Sequence, residues 1–91
     1  MSRQEERVSI TITRAAERAG VRLYVARRCV DVGLVEEGLT ERDLAELRRV
    51  RRLMALGINL PGVEVILRMR RRIESLQEEL TRLQRRARPR E

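Results

Sequence analysis

Seven apolar residues towards the C-terminal end of the chain, Ile66, Met69, Ile73, Leu76, Leu80, Leu83 and Ala87, recur at alternating intervals of three and four. This is the a/d seam of a coiled coil, sustained over about three heptads. A lone helix cannot hide such a stripe from water, so the pattern requires a second helix against it. That helix can come from another protein or from a second copy of the chain, and a homodimer is the simpler solution. Ile66, Met69, Ile73, Leu76, Leu80 and Leu83 are therefore the expected dimerisation residues. The flanking positions Arg70, Arg72, Gln77, Glu79, Gln84 and Arg86 mix charges too evenly to choose between parallel and antiparallel pairing.

The segment ahead of the seam reads as shorter helices. Residues 1–9 are polar, with no periodicity, and are expected to be a flexible N-terminus. Ile10-Thr11-Ile12 alternates like a very short strand or an extended lead-in. Thr13 is placed to cap a helix over 14–19, with Gly20 ending it. From Val21 to Val32 apolar residues fall at 23, 25, 26, 29, 30 and 32, a helical spacing, and Gly33 is a suitable terminator. Two short helices meeting at a glycine make a helix-turn-helix. Leu34-Val35 then anchors a turn, Glu36-Glu37-Gly38. Thr40 followed by Asp43 forms a capping box before a third helix with Leu44, Leu47, Val50, Leu53 and Met54 on one face. Gly57 closes that helix. Asn59 can cap the next, which tolerates Pro61 only in its first turn. The expected fold is all-α. Residues 10–62 form the helix-turn-helix domain, 63–84 the coiled-coil helix, and 85–91 a basic, frayed tail containing Pro89.

Composition narrows the chemistry. The chain has 91 residues, and all 21 basic ones are arginine, against 14 acids, for a net charge of +7. There is no Lys, His, Phe or Trp, and one Tyr. Without His there is no Ser-His or Cys-His couple, and a single Cys cannot build an ordinary zinc site. No catalytic residues, metal or cofactor are expected. Cys29 alone forms no intrachain disulfide, and no span or signal pattern stands out, so a cytoplasmic protein without membrane contact is expected. A chain this short buries only about 60–65% of its unfolded surface, so a second copy is a common way to complete its core. The positive charge is unevenly spread: residues 1–39 carry +1, residues 40–62 carry +2 and residues 63–91 carry +4. Proteins dedicated to reading DNA concentrate positive charge where phosphates dock, which is not the pattern over 1–39.

The candidate contact residues are Arg14, Arg22, Tyr24, Arg27 and Arg28. The arginines of the second helix can meet phosphate, base edges or an acidic protein patch. The plainer alternative is a solvated face with Arg27 paired to Asp31 one turn on. Tyr24 lies where helix-turn-helix readers meet bases, but its amphipathic ring suits a half-buried position better. Cys29 reads as a small buried hydrophobe rather than a sensor, since the chain holds no second thiol or imidazole. The arginines from Arg82 to Arg90 can grip a polyanion or simply keep the tail solvated.

The order of these elements resembles a known family. Ile12-Thr13-Arg14-Ala15-Ala16-Glu17-Arg18-Ala19-Gly20-Val21 is similar to the first helix and turn of MerR-superfamily proteins. Gly20 to Val35 keeps the register of their second helix without a gap, with Arg27 on the family's characteristic arginine. Thr40 to Leu47 resembles their next helix start. Gly57-Ile58-Asn59-Leu60-Pro61-Gly62-Val63 resembles the branch that holds the HspR heat-shock repressors and the CbpM/DafA-like chaperone modulators. The likeness covers roughly residues 10–84. It departs in two places: Arg28 and Cys29 replace an aromatic pair, and only four residues separate Val35 from Thr40. Roughly ten residues of β-wing are thus missing, since two strands and a turn need more chain than that.

The resemblance implies a regulator and not an enzyme. Loss of the wing removes half of the family's DNA-backbone clamp and favours the protein-binding branch, whose members are implied to bind DnaJ-type cochaperones and, for DafA-like ones, to assemble them with DnaK. The chain is not a J protein itself, because a His-Pro-Asp motif needs a histidine. The alternative is an HspR-type transcription regulator that reads double-stranded DNA with two copies of helix 21–32.

Overall fold

A computed structural model describes residues 10–36 and 38–88. The chain is all-α, with four helices in the order α1 (Ile12–Ala19), α2 (Leu23–Asp31), α3 (Glu41–Ala55) and α4 (Leu60–Ala87). The expectations for residues 1–9, Glu37, Pro89 and Arg90 lie outside the described residues.

α1 begins two residues earlier than the sequence suggests. Its N-cap is Thr11, not Thr13: the Thr11 hydroxyl accepts the Arg14 N–H at 3.3 Å. The reason is long-range. The Ile10 N–H donates to the Leu39 carbonyl at 2.7 Å in an isolated antiparallel bridge, which holds Ile10 extended and leaves Thr11 as the turning point. Of the two expectations for 10–12, the extended lead-in fits: Ile10 makes that one bridge, Thr11 is extended and Ile12 already belongs to α1. Ala15, Ala16 and Ala19 are buried, so a face of methyl groups lets α1 approach both α2 and α3 closely. Gly20 ends the helix at φ 78°, in the left-handed region that a side chain would strain.

α2 is trimmed at both ends relative to 21–32, with Arg22 as N-cap and Val32 as C-cap. It buries Val25, Ala26 and Cys29. The link to α3 is no loose loop. Leu34, Val35 and Leu39 are buried, and the N–H groups of Leu34 and Val35 both donate to the Cys29 carbonyl, at 2.9 and 3.2 Å. The link is thus a hydrophobic plug, tied at one end to α2 and at the other to Ile10.

α3 opens with the expected capping box. The Thr40 hydroxyl accepts the Asp43 N–H, and Asp43 accepts the Thr40 N–H at 3.0 Å. Leu44, Leu47 and Val50 are fully buried, while Leu53 and Met54 pack at the edge. α4 is capped by Asn59, whose side chain accepts the Gly62 N–H at 2.9 Å. It runs from Leu60 to Ala87, three residues beyond 63–84 at each end, and so takes in part of the stretch expected to fray. At 1.5 Å per residue its 28 residues span about 42 Å. Only its first turns dock, through Val63, Glu64 and Leu67. From residue 71 to residue 88 every position is exposed. Among the described residues no helix is long and apolar enough to cross a membrane.

Candidate interaction surface

α2 turns its inner face, Val25, Ala26 and Cys29, into the core. Helical spacing then gathers Tyr24, Arg27, Arg28 and Asp31 on the outer face. All four are exposed. Tyr24 is 62% exposed, which corrects the half-buried position expected for it: Val25, Ala26 and Cys29 form the buried face of α2, and Tyr24 lies off that face. Arg22 is exposed at the start of the same helix, and Arg14 is exposed on α1. The structure therefore brings Tyr24, Arg27 and Arg28 onto one face, with Arg22 at its N-terminal end and Arg14 on a different helix.

The expected Arg27–Asp31 pair is absent among the described residues. Arg28 has the partner instead, donating through Nε to Glu64 Oε2 at 3.0 Å. This hydrogen bond and the carboxylate's charge raise the Arg28 pKa further above its usual value. Glu64 is itself almost fully buried, so the pair is a tether between α2 and α4. Two arginines of α4 add to it. Arg71 donates to the Gly33 carbonyl at 3.1 Å and to the Leu34 carbonyl, and Arg68 donates to the Val32 carbonyl at 3.4 Å. These are carbonyls just past the end of α2, where a helix presents partial negative charge and welcomes cations. Buried Glu46 of α3 completes the cluster, bonded to Arg49 at 2.9 Å and lying 3.7 Å from Arg71.

Sequence reasoning missed this cluster. A signal was present: Val63, Glu64, Leu67 and Arg71 share one helical stripe, so an acid and a base accompany the apolar docking residues. Cys29 lies beneath the cluster, fully buried, as the bland reading of it holds. Burial, reinforced by the charges of Glu64 and Glu46, pushes its thiol up to about 11.

The seam faces outward. Ile66, Met69, Ile73, Leu76, Leu80 and Leu83 are each between 37% and 58% exposed. An apolar ridge of this length is more than a lone soluble helix ordinarily shows to water. Among the described residues no group of acids, histidines or cysteines is arranged to hold a metal.

The profile described as MerR HTH family regulatory protein matches residues 10–85, most of the chain. The chain belongs to this MerR family. The match spans α1, α2, the link, α3 and nearly all of α4, so the MerR unit here includes the long helix as well as the helix-turn-helix. No curated protein and no solved structure matches this MerR chain. Its family membership marks it as regulatory, and the described residues between α2 and α3 form no strand, only the isolated bridge of Leu39 with Ile10.

Proposed function

We propose that this MerR-family chain is a non-enzymatic regulator that binds a J-type cochaperone and so modulates or assembles the DnaK/DnaJ chaperone system. It acts as a homodimer joined through the α4 seam, in the cytoplasm. The observation that carries this reading is the link between α2 and α3. Leu34, Val35 and Leu39 are spent on the core, and the described residues of the link form no hairpin to grip a DNA backbone. The resemblance of the segment from Gly57 to Val63 to chaperone modulators points the same way. Tyr24 and Arg27 supply an aromatic ring and a charge on a rigid helix, the kind of anchor that dominates protein interfaces.

Calorimetric titration with the J-type cochaperone encoded in the same genome tests this. Binding in the micromolar range or tighter is expected, weakened by Arg27→Glu with the fold intact. An absence of binding at tens of micromolar rules the proposal out.

A second reading, a DNA-binding regulator of the HspR kind, is favoured by the same exposed Tyr24 and Arg27 on the second helix of an intact helix-turn-helix. It requires specific duplex binding with a measurable salt slope. Binding that depends only on duplex length and vanishes near physiological salt excludes it.

A further inference from the structure

A second basic surface lies on α3, away from the residues that sequence analysis singles out. Arg48, Arg51 and Arg52 follow one another at i, i+3 and i+4, so their side chains leave the same face of the helix. They line a shallow pocket with Arg18, Ala19 and Gly20 at the turn between α1 and α2. Among the described residues none of the three has an ion-pair partner, whereas Arg49 beside them is bound to Glu46 and Arg18 to Glu41 at 3.1 Å.

The pocket is built and not a chance gathering of long side chains. The Arg51 side chain lies across Gly20: a Cβ there would stand 2.8 Å from Arg51 Nε and 3.0 Å from Cδ. Gly20 thus serves twice, in its left-handed φ and as the bare floor on which the Arg51 stem rests. A guanidinium held this way loses less conformational freedom when it meets an anion.

We propose that Arg48, Arg51 and Arg52, floored by Ala19 and Gly20, dock an acidic segment of the protein partner. This rests on the chain acting as a protein-binding regulator. Charge complementarity sets the occupant: three free guanidiniums within one helical turn match two or three carboxylates at helical spacing on a partner. A duplex fits less well. The patch spans one turn, and its Arg18 end is neutralised by Glu41.

The test compares charge reversals of equal size. Arg51→Glu with Arg52→Glu is expected to weaken cochaperone binding at least about tenfold at roughly 0.15 M salt. Arg42→Glu with Arg88→Glu changes net charge equally and is expected to shift it less than about twofold. All four positions are exposed, so the variants are expected to keep the fold, checked by circular dichroism. Cochaperone binding that is equal in both double variants overturns the assignment of the surface and leaves the cochaperone as partner. A second measurement stands apart from the cochaperone: titrating the isotope-labelled chain with an oligo-glutamate peptide is expected to move the amide signals of Gly20 and Arg51 first. If the wild type ignores the cochaperone but these amides respond, the acidic-segment site stands and the cochaperone falls. Signals moving only on α2 or α4, or a duplex displacing the peptide from Gly20 at the same salt, overturn the proposal.

Discussion

Arg28 Nε and Glu64 Oε2 meet at 3.0 Å across 36 residues of sequence, and this contact ties the second helix of the helix-turn-helix to the helix that carries the seam. Its two ends are not equivalent. Arg28 is half exposed and can turn to water, whereas the Glu64 side chain is nine-tenths covered. Removing the arginine leaves a carboxylate in a poorly hydrated place, and removing the charge of the acid leaves a solvated arginine. Arg28→Ala is therefore expected to lower the thermal unfolding midpoint more than Glu64→Gln. Equal midpoints would mean that Glu64 finds water or another base in the fold.

Cys29 gives the chain an alkaline weak point. Its thiol is buried and shifted up to about 11, while in the unfolded chain it ionises near the ordinary value of 9.0. The folded state thus keeps the proton that the unfolded state releases. The stabilisation is complete below pH 9 and falls away as pH rises towards 11. Unfolding midpoints measured from pH 7 to 11 are expected to drop more steeply for the wild type than for Cys29→Ala above pH 9. The variant starts lower at neutral pH because it leaves a small cavity. Parallel curves would show that Cys29 ionises without cost.

The Thr40 capping box offers a local check on α3. The Thr40 hydroxyl and the Asp43 carboxylate satisfy two of the N–H groups that no helix can bond internally. Thr40→Ala is expected to cost about 1 kcal/mol, and Asp43→Ala somewhat less because the hydroxyl still caps. Denaturant titration with an unchanged slope would confirm that both act on the folded state. A loss below roughly 0.3 kcal/mol for Thr40→Ala would mean that water replaces the hydroxyl without penalty.

Much of this architecture is legible because its signals are local. Thr40 with Asp43, Asn59 ahead of Pro61, and the glycines at 20 and 33 each mark a helix end within a few residues, and the seam announces itself by its own period. What escapes are features set by distant chain. The choice of Thr11 over Thr13 as cap depends on Ile10 pairing with Leu39. Tyr24 suits a half-buried position by its amphipathic ring, yet Val25, Ala26 and Cys29 already form the inner face of α2 and Tyr24 is left outside. The tether from Arg28 to Glu64 and the resting of Arg51 on Gly20 join residues about thirty apart, where no periodicity speaks. In a chain whose basic residues are all arginine, no count of charges separates Arg28 and Arg49, which are paired with Glu64 and Glu46, from Arg51 and Arg52, which have no ion-pair partner among the described residues.

The seam allows the sharpest test of assembly. Ile73 and Leu76 sit at its middle, about half exposed and well beyond the residues that dock α4 onto α3. Neither side chain belongs to the core cluster of the helix-turn-helix, so fold and pairing can be separated. Each buried aliphatic side chain contributes about 1.5–3 kcal/mol, and a two-fold interface counts each position twice. Ile73→Asp with Leu76→Asp is therefore expected to weaken self-association by at least about a hundredfold, beyond what micromolar concentrations can overcome. Sedimentation equilibrium should show a dimer for the wild type and a monomer for the variant. The Cys29 thiol should stay equally protected in both, because it is fully buried in a core to which no seam residue belongs. A wild type that sediments as a monomer would remove the homodimer and leave the ridge for a helix of another protein.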